Sequence, residues 1–229
     1  MKYAIACKNS IFFNNLKAFQ PEIINGASYI ITKKDDLSTS KLIDNGIEII
    51  FFPHWSWIVP VDILNNFICV GFHSSPVPYG RGGSPIQNMV LSGHEKSEVV
   101  ALKMNEFIDS GPVYMRRELT LIGGGEEIIL RIYKIIIDMI SELLVELPIP
   151  IEQSGITTIF SRRTPADSQI DFNDEIKSIF DKIRILDIDG YPPAFVDIGE
   201  YRLTFTHPSI RFNDKIDARV MISRKCDEK

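Results

Sequence analysis

Short apolar runs, separated by helix-like stretches, dominate the first third of the chain and leave few folds open. Residues 3–7, 29–32, 47–52 and 68–72 are β-rich, and 12–19 and 38–45 between them read as helices. The run at 47–52 is broken only by Glu48, and neither it nor 68–72 alternates strictly between apolar and polar residues. Strands buried on both faces have this texture. Strands alternating with helices predict an α/β fold, a mostly parallel sheet with helices on both faces. Such a sheet offers ligands the space beyond the carboxyl ends of its strands, so chemistry is expected just after these runs.

This Rossmann-like core continues through a helix opening at Ser84-Pro85-Ile86. There the serine is expected to accept a bond from a free backbone N–H, proline suits the first helical position, and Gly93 is a natural stop. A strand pair at 98–104 and 113–119 flanks the turn Ile108-Asp109-Ser110-Gly111. Gly123-Gly124-Gly125 precedes the most apolar segment, 126–147. It does not carry the GxxxxGK[ST] phosphate-loop pattern and reads as a plain loop. Arg131, Lys134, Asp138, Ser141 and Glu142 recur at gaps of mostly three and four, placing a polar stripe on a buried helix. That spacing excludes a membrane span, which wants about 20 residues nearly free of charge. After Pro148 and Pro150 the texture changes. A linker at 161–165, a helix at 174–186, a turn at Asp189-Gly190-Tyr191-Pro192-Pro193 and strands at 196–198, 201–205 and 218–222 make a short α+β extension. The expected division is a core at 1–165 and an extension at 166–229, whose apolar strands offer an interface for a homodimer.

Composition narrows the function. Of 229 residues, 45% are apolar and 24% charged, the balance of a globular protein. The net charge of −5 leaves no basic surplus for neutralising nucleic-acid phosphates, although a local basic patch stays open. Cys7, Cys69 and Cys226 are odd in number and lack CxxC spacing, which argues against a disulfide framework or zinc knuckle and suits a reducing cytoplasm. Cys7 and Cys69 read as buried core residues. His54, His73, His94 and His207 have no convincing metal-ligand spacing, so no metal is expected.

Two strand ends carry chemistry-bearing residues. One runs into Pro53-His54-Trp55-Ser56-Trp57-Ile58-Val59-Pro60. The other runs into His73-Ser74-Ser75-Pro76-Val77-Pro78-Tyr79-Gly80-Arg81-Gly82-Gly83. A loop so rich in Gly and Pro sets its backbone N–H groups in unusual directions, which suits close approach to a ligand. A histidine at a strand end is by itself more often a satisfied polar residue than a catalyst. Asp109, in a tight turn 36 residues on, changes that balance, because a carboxylate beside an imidazole orients it.

HSSPVPYGRGGSPIQNMVLSG, followed by ALKMNEFIDSGPVY, resembles the folate-dependent formyltransferases. That family carries N-x-H-x-S-x-L-P-x-x-x-G-x-x-P and then D-x-G-x-I. His73, Ser75, Pro78, Gly82 and Pro85 match the first motif, with Val77 for the leucine; Asp109 and Gly111 match the second, with Val113 for the isoleucine. In the tail, RRTPADSQIDF and IRILDIDGYPPAF are similar to family segments, so the resemblance spans roughly residues 47–200. The family's asparagine two positions before the histidine is replaced by Gly71, on the same side of the strand as His73. A substitute donor (Asn88, Asn105, Ser56 or His54), a water in the freed space, or a disabled chain are the three explanations.

The resemblance implies a formyltransferase that moves a formyl group from N10-formyltetrahydrofolate to an amine, with His73 and Asp109 catalytic. It implies a pterin site made largely of backbone in the loop of Trp55, Ser56, Trp57, Ile58 and Val59 and in the loop carrying Asn105, Phe107 and Ile108. Ordinary core or surface roles for Trp55 and Trp57 stay open. Ser74, Ser75, Arg81 and Gly82 are candidates to meet the acceptor, and Arg81 is equally a loop-stabilising residue. The closest look is to bacterial sugar formyltransferases of the pseudaminic acid type. The expected acceptor is therefore a nucleotide-linked amino sugar, a 4-amino-4,6-dideoxy sugar, in polysaccharide biosynthesis. Methionyl-tRNA is the alternative acceptor. An acidic chain ending at Lys229, where that enzyme usually has a longer basic domain, argues against tRNA as a partner. Glycinamide ribonucleotide fits less well, and a non-catalytic folate- or sugar-nucleotide-binding protein is the reading from another class.

Overall fold

The computed structural model describes residues 1–212 and 214–225; Cys226 lies outside the described residues. In chain order the elements are β1 (Tyr3–Ala6), α1 (Ser10–Phe19), α2 (Pro21–Gly26), β2 (Tyr29–Ile31), α3 (Thr39–Asp44), β3 (Ile49–Phe52), α4 (Val61–Asn66), β4 (Ile68–His73), β5 (Arg81–Gly82), α5 (Pro85–Leu91), β6 (Lys96–Lys103), β7 (Val113–Thr120), α6 (Gly125–Val145), β8 (Ile159–Phe160), α7 (Ile176–Leu186), β9 (Ala194–Ile198), β10 (Tyr201–Arg211) and β11 (Lys215–Arg224). Two compact units share them. The first holds Met1–Gly82, Glu98–Leu119 and Arg131–Ile159; the second holds Gly83–Ser97, Thr120–Leu130 and Phe160–Lys229.

In the first unit the main sheet runs β2-β1-β3-β4-β6-β7. β1, β2, β3 and β4 are parallel, and β6 runs antiparallel to β4. Every residue of β1 and β3 is buried, as expected for strands covered on both faces. One apolar cluster gathers Ala4, Ile31, Leu42, Ile50, Phe52 and Ile63, with Trp55 and Met104 packed against it. Phe51 is fully buried, edge-on to Tyr3 and stacked with Phe72. Cys7 and Cys69 are also buried, and burial pushes both thiols up to about 12. α1 starts at Asn9, whose side-chain oxygen accepts from Phe12 N while its amide donates to Tyr133 Oη at 2.9 Å. On α6, Ile132, Ile136, Met139, Ile140 and Leu143 are buried, and Lys134 and Glu142 are exposed as the periodicity predicts. Among the described residues no helix is long and apolar enough to cross a membrane.

The second unit contains an antiparallel sheet, β11-β10-β9, with α7 packed on β10. β10 and β11 are longer than the expected 201–205 and 218–222. A bulge between Thr206 and Ser209, with His207 at φ 51°, carries the ladder past Pro208, which has no N–H to give it. Arg184 of α7 donates to Leu121 O and Gly123 O and pairs with Asp181 at 2.6 Å, satisfying carbonyls ahead of α6. Pro85 opens α5 as expected, but Ser84 does not cap it. At φ 49° its hydroxyl accepts from Arg163 N instead, because the left-handed backbone turns the side chain away from the helix amides.

Phe51→Ala should destabilise the protein by about 3–5 kcal/mol, since a fully buried ring leaves a cavity that the doubly covered sheet cannot close. Urea unfolding of the variant against wild type measures it; a loss below about 1 kcal/mol would mean the sheet is less tightly packed than described.

Candidate functional site

His73 is the last residue of β4 and is buried. Its Nε2 lies 2.8 Å from Gly80 O and its Nδ1 lies 3.3 Å from Asp109 Oδ2. A carbonyl oxygen cannot donate, so the ring donates through Nε2. Ser75 Oγ, fully buried, donates to the same Gly80 carbonyl at 2.8 Å. The loop between is tied to a distant segment: Gly80 N donates to Thr158 Oγ1, Arg81 N to Thr158 O, and Thr158 N to Pro78 O. Gly82 sits at φ 99°, which only glycine adopts readily, and aims its N–H at Asp109 Oδ2 at 3.0 Å.

Asp109 reaches this place by an indirect route. Because β6 is antiparallel to β4, Lys103 ends beside Val70, three residues short of His73. The following segment must double back. Two missing side chains bear on how it does so, one on the path of the backbone and one on the placing of Met104. A Cβ on Gly111 would lie 1.7 Å from Lys103 O. A Cβ on Gly71 would lie 3.0 Å from Met104 Cγ and 3.3 Å from its sulfur. Met104 therefore fills the space beside Gly71 that was one expected place for a water. Asp109 itself has φ 50°, an uncommon conformation for a residue with a side chain.

The other expected donors differ in what they are free to do. Asn88 donates to Gly83 O and Ser161 O, so its amide is spent on the loop. His54 has its ring against Phe12 and Tyr133, and Nε2 is buried without a hydrogen-bond partner among the described residues. Burial pushes its pKa down to about 4. Ser56 is exposed. Asn105 uses its side-chain oxygen to accept from Phe107 N at 3.0 Å and Ser110 Oγ at 2.9 Å, and its amide nitrogen lies 3.6 Å from where a Cβ on Gly111 would stand.

The two loops expected to flank a pterin both rest on one core cluster, through Trp55 and Met104. Trp55 packs against Phe52 and Trp57, and its indole N–H is buried without a hydrogen-bond partner among the described residues. Lys8 lies over Trp57. Val59 belongs to the core, whereas Ile58, Phe107 and Ile108 are 86%, 74% and 73% exposed. So many exposed large apolar side chains on two short loops suit contact with a flat ring system. Ser74 is buried beside His73. Arg81 gives two N–H groups to Gln153 Oε1, and Gln153 Nε2 donates to Asp109 O and Gly111 O. Gln153 was not singled out from the sequence. It lies in an irregular stretch between Pro150 and Gly155, where no periodicity marks it.

In the second unit a cavity of about 730 Å³ is lined by α7 residues including Lys177, Phe180 and Arg184 and by His207 and Ile210 of β10. None of the residues singled out for chemistry lines it.

Residues 165–223 match the family described as methionyl-tRNA formyltransferase, C-terminal domain. The structure of methionyl-tRNA formyltransferase from Clostridium thermocellum is 43% identical and superposes with a TM-score of 0.92, over 98% of this chain and 100% of that one. The methionyl-tRNA formyltransferase of Ehrlichia canis (strain Jake) is 28% identical over 178 residues, 74% of this chain and 56% of that relative. The chain thus spans about half the length of the curated relatives it matches. The N-formyltransferase from Helicobacter canadensis, solved with folinic acid and dTDP-3-aminofucose, has a TM-score of 0.59 and 17% identity, over 89% of this chain and 95% of that one, and so shares the fold alone.

These likenesses correct two expectations. The nucleotide-linked amino sugar, with the role in polysaccharide biosynthesis, gives way, because the extensive identity is with proteins named for methionyl-tRNA. The expectation that tRNA is not a partner falls with it. Proteins named for different acceptors share this fold, so a resemblance carried by the residues around His73 and Asp109 does not choose between them. A net charge of −5 is a sum over the whole surface and sets no local potential.

The depressed His54 pKa has a consequence for stability. The folded state keeps the ring neutral while the unfolded chain protonates it below about 6.5. The contribution is therefore complete above 6.5 and is lost as pH falls to about 4. The loss amounts to about 3 kcal/mol. His54→Asn, which does not titrate and tolerates a positive φ, should lose that much less stability between pH 7 and 4 in paired urea titrations; parallel curves for the two proteins would refute it.

Proposed function

We propose that this chain, which belongs to the formyltransferase family, moves the formyl group of N10-formyltetrahydrofolate to the amino group of methionyl-tRNA. The observation that carries the reading is the 3.3 Å approach of His73 Nδ1 to Asp109 Oδ2 at the end of β4, in a chain 43% identical to a methionyl-tRNA formyltransferase. Residues 1–165 are the proposed catalytic core and 166–229 the extension, a division supported by the family match that begins at residue 165.

The folate supplies an activated formyl group, and the exposed Ile58, Phe107 and Ile108 with the packed Trp55 support a ring held between the two loops of the first unit. Asp109, held beside His73, takes the proton that the attacking amine must lose, directly or through water, and the departing folate nitrogen gains one in exchange. With Nε2 given to Gly80 O and Nδ1 facing Asp109, the His73 ring acts through Asp109 and not by direct contact with the formyl oxygen. That oxygen gains negative charge as the new C–N bond forms, and a donor aimed at it lowers the barrier. Asn105 is the substitute for the absent asparagine at 71. Its amide nitrogen is left over by the turn that binds its oxygen.

A local surface supports an RNA acceptor. Residues 201–225 hold six Lys or Arg against two Asp, the reverse of the whole chain's balance. Arg202 and Arg211 pair with Asp197 and Asp217. Lys215, Arg219 and Arg224 are exposed and hold no ion pair among the described residues, a pattern suited to phosphates.

The purified chain, N10-formyltetrahydrofolate and methionyl-tRNA should give formyl-methionyl-tRNA by mass spectrometry. His73→Ala and Asp109→Asn should each lower kcat by about 10²–10⁴-fold with tRNA binding retained. A protein that binds the folate and the tRNA but transfers nothing would sink the reading. Replacing Lys215, Arg219 and Arg224 by Glu should weaken tRNA binding and reduce the slope of log affinity against log salt by about one for each phosphate no longer neutralised. An unchanged slope would remove this surface from the interface.

A further inference from the structure

We propose that Gln153 is a positioning residue for the Asp109–His73 pair and acts by joining Arg81 to the Asp109 turn; the catalytic consequence rests on the transfer reading above. Both ends of its amide are fully used. Oε1 accepts from Arg81 Nε at 3.1 Å and Nη2 at 2.7 Å, and Nε2 donates to Asp109 O at 2.9 Å and Gly111 O at 2.8 Å. The chemistry admits only this orientation, because a flipped amide would face N–H with N–H and oxygen with oxygen.

These bonds close a circuit. Gly82 N donates to Asp109 Oδ2; Gly82 is bonded to Arg81; Arg81 holds Gln153; Gln153 holds the main chain of Asp109. The carboxylate is therefore gripped at its oxygen and the residue at its carbonyl, with φ held at 50°. The two carbonyls bound by Nε2 flank Ser110, so one side chain spans the turn. Gln153 is itself fixed by the exchange of hydrogen bonds between Ile151 and Val113, at 2.7 and 2.8 Å, two residues away. It is half-buried between exposed Glu152 and Ser154. The circuit also redefines Arg81. Two of its N–H groups are spent inside the protein, so its charge serves the turn before any substrate.

The test uses Gln153→Glu and Gln153→Ala. The first keeps an acceptor for Arg81 but cannot donate to the two carbonyls; the second removes both halves. Hydrogen exchange at the Gly82 amide reads the grip on Asp109 with no turnover required. In both variants it should speed up by about tenfold while amides of β1 and β3 stay as in wild type, the scale of one lost hydrogen bond. With turnover, kcat should fall by about 10²-fold, the scale of an ångström of misplacement. KM for either substrate should stay within about threefold, because ground-state binding is not what is lost. Arg81→Lys, which keeps the charge but loses the fork, should move both readouts in the same direction and serves if the Gln153 variants fold poorly. Wild-type exchange at Gly82 in these variants, or loss of exchange protection throughout the first unit, overturns the proposal. If wild-type protein transfers no formyl group, the transfer reading fails, and the Gly82 exchange still decides the positioning claim.

Discussion

Asp109 has to travel back along β4 to meet His73, and the rest of the site depends on that return. An antiparallel β6 delivers the chain beside Val70, on the wrong side of the target by three residues. Closure of the gap brings backbone against backbone at Gly111, where a Cβ would meet Lys103 O, and sets the Met104 side chain beside Gly71. The return ends in an uncommon backbone conformation at Asp109. Such a conformation persists only where neighbours over-determine it. Here Gly82 N, the His73 ring and Gln153 do so from three directions.

Seen this way, Gly71 is a change of architecture more than a deletion. A side chain at 71 and the Met104 side chain compete for one volume. Met104 also packs against the main apolar cluster, as Trp55 does. The same residue thus ties the Asp109 loop to the loop after β3. What the site loses is an amide on β4. The proposed compensation is the amide of Asn105, on the loop that Met104 anchors.

Much of this was legible. Unbroken apolar runs marked β1 to β4, because a strand covered on both faces leaves no polar alternation to confuse with a helix. The loop after β4 and the Asp109 turn were visible as residue types and spacing. α2 and α4 were not, since six-residue helices give too little periodicity to read. β10 and β11 were read too short, because Pro208 looks like a stop until a bulge carries the ladder past it. Gln153 was invisible for a different reason. A polar residue in an irregular stretch has no pattern, and its importance lies in four hydrogen bonds to residues more than 40 positions away. The acceptor was misread because proteins named for different acceptors share this fold, and because a total charge does not locate a basic patch.

The amino-acid sequence alone determined the layered α/β fold, the strand ends where reactive groups gather, and the kinship carried by His73, Ser75, Gly82 and Asp109. Those properties follow from local patterns, which hydrophobic periodicity and turn chemistry express within a few residues. Tertiary structure decided what these residues face: that His73 gives Nε2 to Gly80, that Met104 takes the space at Gly71, and that Arg81 is held by Gln153. Such pairings join segments distant along the chain. They are chosen by which side chains fit when the sheet closes, and no short-range pattern records that choice.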